Sequence, residues 1–243
     1  MKIAYENKNV TLWHGDCREW FGKADAVLTD PPYGIDGTKG PRGRDKGAYN
    51  GDWPDTPNYV ADVCAATVRR LIETCDAVVV TPGCKNMMRY PQPDSFGCFF
   101  QPAAVGLQRF GNMDGQPILY YGRNLTGKIM GKRCSFTLTE VPEKNGHPCV
   151  KPLRAWKVLL TQFTNEGNTV LDPFCGSGTT LIAALETGRK AIGIEIDERW
   201  VDVAVKRMER WHAQGRLDLR HCQQELDRSR PPNAGGIATL FDL

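Results

Sequence analysis

An acid and an aromatic residue stand on either side of two consecutive prolines at residues 30–33, DPPY. Two prolines in a row cannot lie inside a helix or a central strand, so this segment must form a rigid corner. The residues just before it, ADAVL at 24–28, read as a short buried strand. A turn would explain the prolines, but it would not explain why Asp30 and Tyr33 are held at a fixed spacing. The pattern therefore favours a site built at the end of a strand.

A second candidate site lies at residues 171–180, LDPFCGSGTT, which read as a strand, a glycine turn and a helix start. Glycines allow the backbone to approach a ligand closely, and a helix N-terminus offers free N–H groups. Glu195 ends the next predicted strand, 17 residues after Gly178. An acid at about that distance can accept hydrogen bonds from both hydroxyls of a ribose. The pattern predicts a nucleoside-bearing ligand at the carboxyl ends of a parallel sheet, although a plain strand–helix turn would also explain the glycines alone.

The glycine turn lacks the features that bind phosphates. Leu181 stands where a dinucleotide fold has its third glycine, and no Lys follows the glycines as in a phosphate-binding loop. A ligand without phosphates is therefore favoured, and S-adenosylmethionine is such a ligand.

Short apolar runs alternate with helical patterns, which predicts an α/β fold with a mostly parallel sheet and helices on both faces. A helix is expected from Pro57 onward, with Asp55 or Thr56 as its cap. Predicted strands cover residues 10–15, 24–28, 76–83, 96–103, 116–122, 168–174 and 189–197, and predicted helices cover 56–75, 153–164, 176–188 and 198–211.

Composition places the chain among ordinary globular proteins: 243 residues, 41% hydrophobic, with a net charge of +3. No apolar run approaches the roughly 20 residues of a membrane span, and the N-terminus has no apolar signal-peptide region. The nine cysteines form no C-x-x-C pair, so neither a zinc site nor any other metal site is expected. We expect a cytoplasmic protein with reduced thiols and no membrane contact.

DPPY together with LDPFCGSGTT resembles the amino-group DNA methyltransferases, which methylate adenine N6 or cytosine N4. The catalytic tetrapeptide precedes the glycine motif by about 140 residues, an order similar to the circularly permuted β class. The resemblance implies a Rossmann-like class I methyltransferase fold, a single domain over residues 1–243 and S-adenosylmethionine as methyl donor. HGDC at 14–17 and HPCVKP at 147–152 resemble two further cofactor elements of the family.

The resemblance assigns roles to individual residues. Asp30 and the Pro31 carbonyl would accept the two hydrogens of the target amino group, which frees its lone pair, and Tyr33 would stack on a base flipped out of the duplex. The implied catalytic residues are Asp30, Pro31, Pro32 and Tyr33. The implied cofactor-binding residues are Asp16, Cys17, Asp30, His147, Lys151, Asp172, Phe174, Gly176, Gly178, Thr179, Thr180 and Glu195.

Two basic segments are the candidate contacts to double-stranded DNA. Residues 34–55 are expected to form a mobile loop over the target base, and residues 123–146 a short target-recognition insert. Residues 123–154 hold seven Lys or Arg against two Glu, although such a run can also be a solvated loop. The proposed DNA-binding residues are Lys39, Arg42, Arg44, Lys46, Arg123, Lys128, Lys132 and Arg133.

The sequence favours a DNA adenine-N6 methyltransferase, because Asp as the first residue of the catalytic motif is commoner in adenine enzymes. A cytosine-N4 DNA methyltransferase, an RNA methyltransferase and a nucleic-acid-binding module without turnover remain alternatives. The compact size and short insert resemble a phage, prophage or stand-alone enzyme, and a restriction-modification system with a partner nuclease stays open. A homodimer is possible for the β class, and the loose tail at 216–243 could dock on a partner protein.

Overall fold

A computed structural model describes residues 1–35, 55–100, 106–108, 111–113, 115–128, 133–137, 139 and 150–213. Several expected features lie outside these residues: most of the loop at 34–55, half of the insert at 123–146 and the tail at 216–243. The same holds for five residues with predicted contacts to DNA and one with a predicted contact to the cofactor, namely Lys39, Arg42, Arg44, Lys46, Lys132 and His147.

Within the described residues, nine strands form one mixed sheet in the order β1-β2-β11-β10-β3-β4-β8-β5-β9, and β6 and β7 pair separately. Five neighbouring strands of this sheet are mutually parallel, namely β2, β11, β10, β3 and β4. The strands on either side of them, β1 and β8, run antiparallel to their neighbours. The bounds are β1 (Lys2–Glu6), β2 (Val10–His14), β3 (Ala26–Thr29), β4 (Ala77–Val80), β5 (Ser95–Phe100), β6 (Gly106–Gln108), β7 (Gly111–Met113), β8 (Gly115–Gly122), β9 (Phe136–Thr137), β10 (Thr169–Asp172) and β11 (Lys190–Glu195).

The helices are α1 (Pro57–Tyr59), α2 (Ala66–Thr74), α3 (Leu153–Phe163), α4 (Thr179–Glu186) and α5 (Glu198–Ala213), and a π-helical segment, Val60–Ala65, joins α1 to α2. The expected start of α1 is confirmed, because the Thr56 hydroxyl accepts a hydrogen bond from the Tyr59 N–H at 3.2 Å. Two short 3-10 turns cover Cys17–Glu19 and Met87–Arg89.

The predicted arrangement of helices on both faces of the sheet is confirmed by two separate cores. Because side chains alternate along a strand, Ala26 and Leu28 of β3 pack on the α3–α4–α5 side, whereas Val27 packs on the α2 side. Trp156 of α3 is the largest fully buried side chain of the first core. Burying a large apolar side chain contributes about 1.5–3 kcal/mol, so each face is stabilised by its own set of helices.

The sheet brings together two motifs that are far apart in the chain. β10 pairs in parallel with β3, so that Leu171 lies opposite Val27 and the two strands end side by side. The corner at residues 30–33 and the glycine turn after Asp172 therefore lie at the same edge. Ligands of open parallel sheets bind at this carboxyl edge.

In the described part of the chain, the structure contains four strands that the sequence did not predict, β1, β6, β7 and β9, and it interrupts one predicted helix. β1 was not predicted, because this edge strand is largely exposed and has no apolar alternation. The predicted helix over residues 56–75 is interrupted by the π-helical segment, which helical spacing does not reveal. β8 was predicted without a direction and runs antiparallel to β4. No helix among the described residues is long and apolar enough to cross a membrane.

Candidate active site

The Asp30 carboxylate lies at the mouth of a pocket and is held by three side chains. Its Oδ1 accepts hydrogen bonds from the Tyr33 hydroxyl at 2.7 Å and from the Thr81 hydroxyl at 2.5 Å. Its Oδ2 forms an ion pair with the Lys151 ammonium group, whose side chain is 9% exposed. The Asp30 side chain remains 17% exposed, so the carboxylate is held firmly but still reaches the pocket.

The Tyr33 ring is positioned from three directions. The Lys151 Nζ lies 5.0 Å from the ring centroid, close enough for a cation–π contact. The ring also packs directly on Gly83, where a Cβ would lie only 2.8 Å from the ring atoms. Asn86 donates its side-chain amide to the Tyr33 carbonyl at 2.7 Å. Gly83 thus leaves the space that the aromatic ring occupies.

Asp55 fixes the backbone where the chain leaves the corner. Its Oδ1 accepts a hydrogen bond from the Gly34 N–H at 2.6 Å. Gly34 has a φ of 67°, a left-handed conformation that favours glycine. The corner at residues 30–33 is therefore rigid through hydrogen bonds as well as through its two prolines.

Asp172, the last residue of β10, is buried beside Asp30 but has a different set of partners. It accepts hydrogen bonds from the hydroxyls of Thr29 at 2.6 Å and Thr180 at 2.5 Å and from the Phe174 N–H at 3.1 Å. Burial raises the pKa of Asp172 to about 6, although the three donors oppose the shift. Thr180 in turn accepts a hydrogen bond from the Trp156 indole N–H at 3.0 Å. This network ties β3, β10, α3 and α4 together at the wall of the pocket, which Trp156, Asp172 and Thr180 help to line.

The glycine turn at residues 176–178 leads directly into α4. Gly178, at the N-terminus of α4, has a φ of 80°, and a Cβ there would lie 3.2 Å from the Cβ of Ala204 on α5. The buried Arg207 guanidinium of α5 donates to the Ser177 carbonyl at 2.6 Å and to the Thr179 hydroxyl at 3.2 Å. α5 therefore holds the turn through Arg207, and Arg199 and Trp200 near the N-terminus of α5 line the pocket.

The Glu195 carboxylate ends β11 on the opposite side of the turn from Asp30. Its two oxygens accept hydrogen bonds from the N–H groups of Gly176 and Asp197, both at 2.8 Å. Burial raises the pKa of Glu195 to about 7. Each carboxylate oxygen has a second lone pair, so Glu195 can still accept hydrogen bonds from a ligand.

One pocket contains most of the described residues that the sequence analysis assigned to catalysis or to the cofactor. It is lined by Cys17, Asp30, Pro31, Pro32, Tyr33, Lys151, Asp172, Phe174, Gly176, Thr179, Thr180 and Glu195. An acid beside a glycine turn, with an aromatic ring nearby, fits the ribose and the apolar parts of S-adenosylmethionine.

Two predicted cofactor residues have partners that the sequence did not indicate. The Asp16 carboxylate caps the turn at Cys17–Glu19 and pairs with the Arg18 guanidinium at 2.5 Å. The hydrogen bond from Arg18 lowers the pKa of Asp16. Its neighbour Cys17 lines the pocket, and burial raises the pKa of the Cys17 thiol to about 11.

The sequence analysis missed several residues of the pocket wall. Ile196 directly follows Glu195 and is 43% exposed, so it offers an apolar surface beside the acid. The position directly after Glu195 was the sequence signal that could have identified Ile196. The other missed wall residues are Gly15, Ile35, Asp55, Tyr59, Val150, Trp156, Pro173, Cys175, Ser177, Arg199 and Trp200.

The basic residues described in the insert are not brought to this pocket. Arg123 follows β8 and pairs with Asp76 at 2.9 Å, just before β4 begins. Because the pocket lies where β3 and β4 end, Arg123 lies at the opposite end of the sheet. Lys128 and Arg133 are exposed, and the loop before Lys128 is bonded to the C-terminal end of α3 through Leu125 and Phe163.

A family model and similar known sequences that match this chain all belong to methylases. Residues 117–206 match the N6/N4 methylase family, described as DNA methylase. "Putative methylase YubD" of Escherichia coli K12 is 31% identical over 189 residues, which cover 72% of this chain and 78% of the relative. The DNA adenine methyltransferase YhdJ of the same organism is 40% identical over 67 residues, which cover 28% of this chain and 23% of the relative.

Solved structures with the same fold include two methyltransferases. The M1.HpyAVI–SAM complex has a TM-score of 0.61 at 20% identity and covers 82% of this chain and 98% of that one. The PvuII DNA methyltransferase, titled cytosine-N4-specific, has a TM-score of 0.61 at 15% identity and covers 85% of this chain and 88% of that one. At these identities the similarity establishes the fold.

Proposed function

Because this chain belongs to the N6/N4 DNA methylase family, we propose that it transfers a methyl group from S-adenosylmethionine to adenine N6 in DNA. One observation carries the proposal. The Asp30 carboxylate and the Tyr33 ring lie in the same pocket as the glycine turn and Glu195. A base held by Asp30 and Tyr33 would thus lie next to a nucleoside cofactor held by the glycine turn and Glu195.

Asp30 has room for a substrate hydrogen bond. A carboxylate offers about four acceptor positions, and among the described residues Tyr33, Thr81 and Lys151 use three of those on Asp30. The fourth can accept a hydrogen from the target amino group, and the Pro31 carbonyl can accept the other. These two bonds draw the nitrogen toward a tetrahedral geometry with an available lone pair.

The methyl donor supplies an activated sulfonium carbon, so the protein's task is alignment and electrostatics. The nitrogen lone pair forms the new N–C bond as the C–S bond breaks and its electron pair goes to sulfur. Asp30 stabilises the positive charge that develops on the nitrogen, which then loses one proton. In a partly buried site this stabilisation is stronger than in water.

Tyr33 stabilises the flipped base in this proposal. The target nitrogen cannot be reached inside a duplex, so the base must leave the stack at a cost of a few kcal/mol. Stacking on an aromatic ring returns about 1–3 kcal/mol per base. The Tyr33 hydroxyl already holds the ring beside Asp30, so the stacked base and the carboxylate would act on one nucleotide.

The cofactor is proposed to bind along the glycine turn, with its ribose at Glu195 and apolar contacts to Phe174 and Ile196. Lys151 and His147 complete the proposed cofactor set from the sequence motif at 147–152. Lys151 pairs with Asp30 across the pocket mouth. Because Lys151 also lines the pocket, we propose that its ammonium group binds the cofactor carboxylate.

Adenine is preferred over cytosine on two grounds. Asp as the first residue of the catalytic motif is commoner in adenine enzymes of the family, and one relative is named a DNA adenine methyltransferase. A structural neighbour specific for cytosine N4 makes cytosine the second candidate.

The proposal is tested by incubating the protein with unmodified DNA or structured RNA and labelled S-adenosylmethionine, then analysing the nucleosides. We expect label in DNA as N6-methyl-2′-deoxyadenosine, with Asp30→Ala as the inactive control that still binds cofactor. N4-methylcytosine would correct the base, and label in RNA alone would correct the polymer. No transfer at all, with cofactor bound, would favour a binding module without turnover.

A further inference from the structure

Thr81 contacts Asp30 although neither the sequence motifs nor the pocket wall include it. It is the first residue after β4 and is 1% exposed. Its N–H donates to the Thr29 carbonyl at 3.0 Å, which extends the β3–β4 pairing by one residue. The pairing places its side chain across from the corner at residues 30–33.

The Thr81 hydroxyl has one hydrogen, and the distances indicate where it points. Its oxygen lies 2.5 Å from the Asp30 Oδ1 and 3.4 Å from the Thr29 carbonyl oxygen. The shorter contact is a hydrogen bond to a charged acceptor, which is about twice as strong as one between neutral groups. Thr81 therefore donates to Asp30.

The other two partners of Asp30 are groups that substrates would also engage. Tyr33 and Lys151 both line the pocket, where a stacked base or a cofactor carboxylate would compete for them. Thr81 lies behind the carboxylate and is buried. Of the three donors it is the one that can keep its hydrogen bond while ligands enter.

We propose that Thr81 is a positioning residue for the methyl transfer. The Thr81 hydroxyl occupies one acceptor position of Oδ1 from the buried side and thereby fixes the rotation of the Asp30 carboxylate. The remaining acceptor position of the carboxylate then faces the target amino group. This inference rests on the proposed function, because it assumes that Asp30 accepts a hydrogen from the substrate. It does not depend on whether that substrate is adenine or cytosine.

The test compares Thr81→Val, which keeps the side-chain shape but removes the hydroxyl, with Thr81→Ser, which keeps the hydroxyl. We expect Thr81→Val to lower kcat by about 10–100-fold, as is typical when a group that orients an active residue is lost. Thr81 does not reach the pocket wall, so the KM for S-adenosylmethionine should stay within about twofold. Thr81→Ser should restore kcat to within about threefold of wild type.

Thr187→Val is a matched control, because Thr187 is also a buried threonine but bonds to the Ala183 carbonyl at 2.7 Å in α4. It should leave kcat unchanged at a temperature where the protein is folded. In an Asp30→Asn background, Thr81→Val should have little further effect on kcat, since two residues that act through one group are not additive.

Four results overturn the inference. The first two are an unchanged kcat in Thr81→Val and a loss of kcat in Thr187→Val as large as that in Thr81→Val. The third is a kcat in Thr81→Ser as low as that in Thr81→Val. The fourth is a full further loss of kcat when Thr81→Val is added to Asp30→Asn. Each requires an active wild-type enzyme, which separates failure of this inference from failure of the proposed function. A wild-type protein that methylates no nucleic acid would overturn both.

Discussion

Asp172 is the last residue of β10, Asp30 directly follows β3, the parallel neighbour of β10, and each of the two acids is followed by proline. Their surroundings nevertheless differ. Asp172 is buried among the neutral donors Thr29, Thr180 and the Phe174 N–H, and its pKa is raised to about 6. Asp30 has an ammonium partner and part of its side chain in the pocket.

The comparison shows how one local sequence pattern can serve two purposes. A strand followed by Asp-Pro places a carboxylate at the edge of the sheet in both cases. A charged partner keeps an ionised carboxylate stable and partly accessible, whereas burial among neutral donors favours a structural role. We therefore propose that Asp30 carries the chemistry and that Asp172 mainly joins the two motifs.

Replacing Asp30 should give the largest effect on activity. Asp30→Asn keeps the shape of the side chain but removes its charge, so the positive charge that develops on the target nitrogen loses its stabilisation. We expect methyl transfer to fall by about 10³-fold, in the range seen when a group that stabilises transition-state charge is removed. Single-turnover kinetics on DNA measures this loss.

Cofactor affinity serves as the control for Asp30→Asn. Titration with S-adenosylmethionine should give a Kd within about threefold of wild type, because Glu195 and the glycine turn are unchanged. A variant that transfers methyl groups at the wild-type rate would remove Asp30 from the chemistry.

Replacing Asp172 should act first on stability. Asp172→Ala leaves two buried hydroxyls and one N–H without their acceptor, at about 1–3 kcal/mol for each unsatisfied group. We expect a loss of about 3 kcal/mol in the free energy of unfolding, measured by urea denaturation. Activity per folded molecule should fall much less than in Asp30→Asn, and an equal loss would erase the contrast between the two residues.

Cofactor binding should depend on pH through Glu195. Its pKa in the folded protein is raised from 4.5 to about 7, so the free folded protein loses stability as pH rises between these values. The ionised carboxylate is the better acceptor for ribose hydroxyls. Affinity for S-adenosylmethionine should therefore increase about tenfold from pH 6 to pH 8, following the ionised fraction.

Glu195→Gln provides the matched variant for the pH measurement. It should bind the cofactor more weakly at pH 8, and the pH dependence should largely disappear. Calorimetric titration at several pH values measures both effects. A pH dependence that persists in Glu195→Gln would assign it to another group.

Arg123 should show the smallest effect. The Arg123–Asp76 pair is exposed and lies at the end of the sheet opposite Asp30, and exposed pairs contribute about 0–1 kcal/mol. Arg123→Ala should change the KM for DNA by less than about twofold and leave its salt dependence unaltered. A reduced salt dependence would mean that DNA also contacts the far end of the sheet.

The sequence allowed the strands, the helices and the main motifs to be predicted because each depends on local periodicity or spacing. The fold class and the place of Glu195 at the end of its strand were predicted in this way, whereas the family was recognised from the resemblance of the motifs at 30–33 and 171–180. The partners of the two carboxylates that come from distant segments could not be predicted. Thr81 meets Asp30 across 51 residues, and Thr29 meets Asp172 across 143.

The most direct test is to sequence DNA, with detection of modified bases, from cells that express either the wild-type protein or Asp30→Asn. We expect N6-methyladenine at a defined sequence context with the wild-type protein, and unmodified DNA with Asp30→Asn at equal expression. The same adenine methylation in both strains, or its absence from both, would contradict the assignment of Asp30 as the carboxylate that acts on adenine N6.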